Sequence, residues 1–465
     1  MAKRGDSIEI DVDKFADKGL CVGRLDGIVV LTSGAAPGDR VRALVTRKKK
    51  QYLEARTVEI LIEGPDRVEP RCRYFGVCGG CTRQHVAYDA QLFAKQMAVL
   101  DALEHRGGLT GIAIEPIIGC EPPFFYRNKM EFSFSAWKWL TPEEIASDDS
   151  FERGFSLGLH VPGNYEKALD IEECFLQSEL SVAIVNETRA YGRANRLSCW
   201  STRAHDGLLR HLVIRHGVNT GETLVNIVAN GSADDVAGLA EHLKATFDAI
   251  TTCVSTDHRG LAQISDSGER TVHWGRGAIR ERIGDLEFEI SPTAFFQPNT
   301  RQAEKLYGVV ADFAELTGSE TVYDLYCGAG AISLYLARAA RNVVGIEIVE
   351  DAVRDARRNA DLNSITNCRF FHGDVSEVVT ESFVTENGQP GVVVLDPPRA
   401  GLHPKTVAEV IRIAPKRIVY VSCNPQTQAR DLALLAETYS IIKAQPVDLF
   451  PQTHHLENVA LLTRR

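Results

Sequence analysis

From Ser291 onward six short apolar runs (Val322–Tyr326, Val343–Ile348, Arg369–Phe371, Val392–Leu395, Ile418–Ser422 and Val459–Leu462) alternate with stretches of helix length. Strands apolar on both faces need cover on both faces, and strand–helix alternation supplies it by building a doubly wound parallel sheet. Residues 291–465 are therefore expected to form an α/β, Rossmann-like domain. Residues 64–290 read as a mixed α+β region. It has strands at Lys129–Ser135, Leu209–Arg215 and Glu222–Val228, and an amphipathic helix, Tyr88–Glu104, stopped by Gly107-Gly108. A charged insertion, Thr141–Glu152, is expected to loop out. Residues 1–63 read as short strands, Ser7–Val12, Gly27–Leu31, Arg40–Val45 and Tyr52–Ile60, with turns at Gly19, Gly23, Gly34 and Pro37-Gly38-Asp39. That pattern suits a small β-barrel of the oligonucleotide-binding type.

No apolar run approaches the roughly 18 residues of a membrane span, and the opening residues lack a secretory apolar core. The expected location is cytoplasmic, with no membrane and no obligate protein partner evident. A net charge of −10 excludes a generic nucleic-acid coat. Residues 1–63 nevertheless carry 12 Lys/Arg against 10 Asp/Glu, with Arg47-Lys48-Lys49-Lys50 set between two strands. A hairpin tip has no internal need for such a run, so focused, salt-sensitive RNA contact is the better reading than a structural cap.

Thr321–Gly330 is a strand running into a glycine turn, followed by a helix at Ala331–Arg338. Glycines there let backbone approach a ligand, and Glu347, ending the next strand, is placed to accept ribose hydroxyls. The turn is Gly328-x-Gly330 without the third glycine of a dinucleotide site, and Asp324 precedes it. S-adenosylmethionine, which has no pyrophosphate, fits this better than NAD. Asp374 is placed to read an adenine edge, and Asp396 ends the fourth strand at the same crevice. Each aspartate alone is more commonly a turn former; acidic strand ends gathered at one sheet edge argue for a ligand.

Val419–Pro425 is an apolar strand that presents Cys423 at a turn, and His455-Leu456-Glu457-Asn458 sets Glu457 before the last strand. Taken singly, the cysteine reads as a small core residue, and the glutamate is evenly balanced between a base and a surface charge. Together at neighbouring strand ends they suit C5 methylation of a pyrimidine. A thiolate adding to C6 makes C5 a carbanion that accepts a methyl, and a base then removes the C5 proton as the thiolate leaves. A helix predicted over Gln426–Ala436 would favour the thiolate through its positive end. Asp396 could also hydrogen-bond the pyrimidine ring.

Three of the eleven cysteines, Cys72, Cys78 and Cys81, cluster as C-x5-C-x2-C. In a chain of this length that suggests metal or catalytic use more than disulfides. A closed site needs a fourth, either Cys120 or Cys174. Zinc usually takes two C-x2-C knuckles, so the wide spacing favours an iron–sulfur cluster.

These motifs, with Phe295-Phe296-Gln297-Pro298-Asn299 and Asp396-Pro397-Pro398-Arg399 in order, resemble the S-adenosylmethionine-dependent RNA uracil-5 methyltransferases. The resemblance covers nearly the whole chain and is strongest to the branch with a TRAM barrel and an iron–sulfur cluster that acts on 23S rRNA. It implies Cys423 as nucleophile and Glu457 as base. Gln297, Tyr326, Gly328, Glu347, Asp374 and Asp396 would line the cofactor and uracil pocket, and Phe295 would stack on a base. Cys72, Cys78, Cys81 and Cys174 would hold a 4Fe-4S cluster. Ala331 departs from the family, some members of which carry Asn or Thr there, so a contact to the methionine end is lost or made by backbone. The same chemistry on tRNA, an amine methyltransferase, a cytosine-5 methyltransferase and a non-catalytic RNA-binding assembly factor are the competing readings.

Overall fold

The computed structural model describes residues 2–147, 154–265 and 267–465. Strands β1 (Ser7–Phe15), β2 (Cys21–Leu25), β3 (Ile28–Ser33), β4 (Arg40–Lys48) and β5 (Tyr52–Ile62) close into a barrel in the order β1-β2-β3-β5-β4. The strand β2 is not among those expected from the sequence, because Gly23 reads as a turn. Gly23 instead lies within β2, where a Cβ would come within 2.5 Å of the Asp11 carbonyl on β1. The basic run Arg47–Lys50 occupies the β4–β5 hairpin tip, and Arg47, Lys48 and Lys50 are exposed. Buried Asp39 closes the barrel's base by accepting from Arg67 at 2.6 Å and from the backbone N–H groups of Ala36 and Gly64.

The helix Tyr88–Asp101 follows, extended by a wider turn, Ala102–Arg106, and then a two-residue strand, β6 (Ala113–Ile114). Next, β7 (Lys129–Ser135), β8 (Ser156–Val161), β9 (Asn164–Asp170), β10 (Leu209–His216), β11 (Thr223–Ala229), β12 (Thr252–Asp257) and β13 (Glu269–Trp274) form a sheet in the order β13-β12-β11-β10-β7-β8-β9. Helices Glu179–Ala194 and Ala233–Thr246 bury their apolar sides against Phe132, Leu212, Ile214 and Ile227. The insertion expected to loop out begins instead with a helical turn, Pro142–Ala146, fixed by the Thr141/Glu144 capping box. Its residues 148–152 lie outside the described residues.

After the hairpin β14 (Ile279–Ile283) and β15 (Leu286–Ile290) come β16 (Thr321–Leu325), β17 (Asn342–Glu347), β18 (Cys368–His372), β19 (Val392–Leu395), β20 (Arg417–Ser422), β21 (Tyr439–Val447) and β22 (Glu457–Arg464). Their sheet runs β18-β17-β16-β19-β20-β22-β21-β6. Strands β16 to β20 are parallel, as expected. The sheet is not wholly parallel, however: β22 enters between β20 and β21, antiparallel to both. The strand β21 is likewise unexpected from the sequence, because its exposed positions and Pro446 mask the strand pattern.

Packing does not respect a division of the sequence at residue 290. Ile279, Ile283, Leu286 and Phe288 of the hairpin share a core with Val322, Val343 and Val392, while Val99 and Leu103 share the core on the sheet's other face. Fully buried Lys95, on the helix Tyr88–Asp101, pairs with fully buried Asp448 at 2.6 Å. Burial pulls Lys95 down to about 8, against the attraction of Asp448. Removing one member of a buried pair strands the other charge. Lys95→Met or Asp448→Leu alone should therefore cost about 3–5 kcal/mol in urea unfolding. The double substitution should recover much of that loss.

Candidate active site

Cys423 directly follows β20, and Glu457 opens β22. In the antiparallel pairing Ser422 lies opposite Asn458, so the next step of the register brings Cys423 to Glu457. Distant sequence positions thus meet at the crevice edge of the sheet. The helix Pro425–Leu435 starts two residues after the cysteine, as expected, with Asn424 capping it through its side chain. Other surroundings of the cysteine work against the thiolate. Burial pushes the Cys423 thiol up to about 11, and the Glu457 and Asp396 carboxylates add to that. Hydrogen bonding and attraction from Arg399 pull the other way.

Arg399 has no role assigned to it from the sequence. Its Nη2 lies 2.7 Å from His455 Nδ1, and its carbonyl accepts from Asn424 and Thr427, which pins its backbone beside the cysteine turn. Burial, with His454 and Arg399 nearby, pulls His455 down to about 3, so the ring is neutral and can accept from the guanidinium. The only signal in the sequence is a cation placed directly after an acidic strand end and two prolines.

Glu457 is buried, and its carboxyl is pushed well up by burial and by Asp396; Asp396 is pushed from 3.8 up to about 7, chiefly by burial. Asp324, with no exposure, is raised to about 6 by burial although Ser333 donates to it at 2.5 Å. The buried Tyr307 hydroxyl, hidden in the sequence because it sits on the apolar side of the helix Thr300–Ala314, feels all three carboxyls and is raised. Burial disfavours the charged form of each of these carboxyls, and Arg399 offsets that only in part at Glu457.

Beside these carboxyls, β16 ends in a tight turn. Tyr326 adopts a left-handed backbone (φ 73°), a strained conformation for a non-glycine residue. Its hydroxyl meets Thr406 at 3.3 Å. Gly328 is also left-handed, and a side chain there would meet nothing within 4 Å, so the turn opens onto free space. Gly330 differs: a Cβ there would press on Ala356 and Phe370. Glu347 accepts from Gly328 N–H at 3.1 Å and Val349 N–H at 2.8 Å, which fixes its carboxylate at the end of β17. Asp324 Oδ1 is buried with no hydrogen-bond partner. An unpartnered acceptor beside an open glycine turn suits the ammonium of an amino-acid end. Asp374, just after β18, caps a short helix by accepting from Ser376 N–H and Oγ, and those bonds hold its carboxyl below the usual range. Gln297 is buried, its carbonyl accepting from Asn128 at 2.8 Å, and Ala331 begins the helix after the turn.

Cys72, Cys78, Cys81 and Cys174 line one cavity of about 560 Å³ together with Phe295 (69% exposed), Thr453 and His455. Burial raises every one of these thiols, Cys78 to about 11 and Cys81 to about 12, and Cys174 adds to the rise of the other three. Each sulfur also faces an N–H donor: Tyr74 for Cys72, Gly80 for Cys78, Gln84 for Cys81, Leu176 and Gln177 for Cys174. Cys120, the other candidate, is engaged elsewhere, accepting from Asn299 Nδ2 at 3.3 Å. Among the described residues no three Cys, His, Asp or Glu side chains converge to hold a metal ion. The four sulfurs thus share one cavity lining, each with an N–H group directed at it, without drawing together around a common centre.

Comparison with known proteins agrees with this architecture. Residues 264–465 match the tRNA (uracil-5-)-methyltransferase family and residues 2–58 the TRAM domain. An uncharacterized RNA methyltransferase of Chlorobaculum tepidum is 42% identical over 99% of this chain and 97% of its own length. One from Porphyromonas gingivalis is 42% identical over 98% and 99%. Among solved structures, the Pyrococcus abyssi tRNA (uracil-54, C5)-methyltransferase in complex with S-adenosyl-L-homocysteine superposes with a TM-score of 0.76 at 30% identity. It covers 98% of this chain and 100% of its own. The fold and site define a methyltransferase that works on RNA. More particularly, the chain belongs to the S-adenosylmethionine-dependent RNA (uracil-5-)-methyltransferases. No helix among the described residues is long and apolar enough to cross a membrane.

Asp396 supplies a pH test. Raised from 3.8 to about 7, it keeps in the folded state a proton that the unfolded chain releases, so its contribution to stability falls as pH rises through that window. Wild-type protein should melt lower at pH 8 than at pH 5. Asp396→Asn should remove part of that fall and raise the pH 8 melting point by about 2–4 °C, read by calorimetry.

Proposed function

We propose that this enzyme methylates C5 of one uridine in 23S rRNA, with Cys423 as the nucleophile and Glu457 as the base. The observation that carries the reading is the β20–β22 register, which sets a thiol and a buried carboxyl side by side at the cofactor edge of the sheet. The Cys423 thiol loses its proton to solvent, its sulfur bonds to C6, and the C5–C6 π pair moves onto C5 and the O4 enolate. The C5 carbanion takes the methyl of S-adenosylmethionine. Glu457 then accepts the C5 proton, the C5–C6 double bond re-forms, and the sulfur leaves as thiolate. Arg399 opposes the burial and the neighbouring carboxyls that raise the thiol. The sulfonium of the methyl donor would bring a positive charge to Asp324, Asp396 and Glu457, which favours their ionised forms.

In the same reading Glu347 binds the ribose, Asp374 the adenine edge, and Gln297, Tyr326 and Gly328 line the pocket. Asp396 faces the uracil ring, and Phe295 stacks on a neighbouring base. A stacked uridine must be extruded to reach Cys423, which costs a few kcal/mol that RNA contacts have to offset. The exposed cations of the barrel's basic hairpin tip would supply some of them.

Cys72, Cys78, Cys81 and Cys174 are proposed to hold a 4Fe-4S cluster. When bound, the cluster supplies the positive charge that turns four buried thiols into thiolates. Protein purified without oxygen should be brown, with iron and sulfide near four per chain, and Cys174→Ser should lose both. A colourless protein carrying one zinc would overturn this assignment.

The ribosomal target rests on the presence of both the barrel and the cysteine cluster. A tRNA target is the second reading, favoured by the Pyrococcus abyssi enzyme, whose whole length matches and whose named substrate is tRNA. Mass mapping of 5-methyluridine in RNA from a deletion strain separates the two. For the chemistry, target RNA carrying 5-fluorouridine should form a denaturation-resistant complex with wild type and none with Cys423→Ala. Methyl transfer should fall at least 1,000-fold in Cys423→Ala, about 4 kcal/mol of barrier.

A further inference from the structure

Glu457 reaches the site at the end of a connecting segment, Asp448–Leu456, and that segment is held largely by residues far away in the sequence. Lys95 Nζ donates to Asp448 at 2.6 Å and to the Phe450 carbonyl at 3.0 Å, and Tyr88 donates to Asp448 at 2.8 Å. The centre of the attachment is Gln452, 3% exposed and left-handed in backbone (φ 67°). Its carbonyl accepts from Thr82 N–H at 2.9 Å and Arg83 N–H at 3.0 Å, the two residues that follow Cys81. Its own backbone N–H donates to Gln91 Oε1 at 3.2 Å, while Gln91 Nε2 donates back to Gln452 Oε1 at 3.0 Å. Gln91 has no exposure and spends its amide further on the Arg83 and Val86 carbonyls. One side chain therefore ties the cysteine loop, the helix Tyr88–Asp101 and the segment leading to the base into a single unit.

We propose that Gln91 and Gln452 form a positioning clasp that holds Glu457 aligned for removal of the C5 proton, and that the cysteine loop is its abutment. The inference rests on the proposed roles of Cys423 and Glu457. It selects one step. Attack by sulfur on C6 and methyl transfer to C5 come before the base acts. In the final step the Glu457 carboxylate takes the C5 proton, the C–H electron pair becomes the C5–C6 double bond, and the C6–S bond breaks with its pair on sulfur. A loosened clasp should slow only this last step and leave methylated enzyme–RNA adduct in place. General loss of structure would slow every step together and accumulate nothing.

The test is single-turnover reaction of full-length enzyme with unmodified target RNA and radiolabelled S-adenosylmethionine, read on denaturing gels. Gln91→Met fills the volume without the amide, and Gln91→Asn keeps an amide that is too short. Should Gln91→Met not fold, Gln91→Asn carries the comparison. Expected are methyl transfer within about threefold of wild type, release of methylated RNA at least tenfold slower, and a labelled protein–RNA band. Equal slowing of transfer and release without that band, or unchanged release, overturns the clasp. Glu457→Gln is the control for the underlying chemistry. A band with Glu457→Gln but none with either Gln91 variant sinks the clasp alone. No band with Glu457→Gln sinks both.

Discussion

The antiparallel insertion of β22 between β20 and β21 is the constraint on which the proposed active site depends. A wholly parallel sheet would bring every strand end to the crevice as a C-terminus, and Glu457, which begins its strand, would sit at the far edge. Reversal of one strand exchanges its ends and delivers the start of β22 to the end of β20. The pairing of Ser422 with Asn458 then fixes which residues meet. Because side chains alternate with a period of two, a slip of one residue would turn Glu457 away from the thiol.

The site this creates is electrostatically unbalanced. Three carboxyls, Asp324, Asp396 and Glu457, are raised chiefly by burial, and Cys423 is raised with them. Arg399 is the cation that opposes them at the cysteine, and it leans on a neutral histidine rather than on a carboxylate partner. Such an arrangement is poised for a positively charged ligand, whose arrival lowers the cost of every ionisation around it. Under the proposed mechanism, the charge of the methyl donor and the protonation of the base are linked through these same groups.

Much of the fold and of the candidate site is legible in the residues alone. The apolar runs at Val392–Leu395 and Ile418–Ser422 are uninterrupted and bounded by turn residues, so β19 and β20 can be placed almost to the residue. Cys423 and Glu457 are recognisable because each lies beside such a run. The failures share a cause: a local pattern overridden by a distant contact. Gly23 reads as a turn, yet the close approach of β1 is what requires it. The strand β21 carries exposed residues and a proline, and only β22 beside it makes it a strand. Burial of Cys423 among carboxyls works against the thiolate that the helix end favours. Gln91 carries no local signal at all, since its meaning lies in a residue more than three hundred positions away.

The two-residue strand β6 has a wider consequence. By lying parallel to β21 at Lys443 and Ala444, it covers the middle of the sheet's outer rim with backbone from the N-terminal half. Without it, β21 would present unpaired amides and carbonyls to solvent, an invitation to strand-swapping and aggregation. During synthesis the N-terminal portion is already made and waiting when β21 emerges, so the lid for that rim exists before the rim does. The transferase half is thus no detachable module: severed from what precedes it, it would lose its edge guard as well as its anchor.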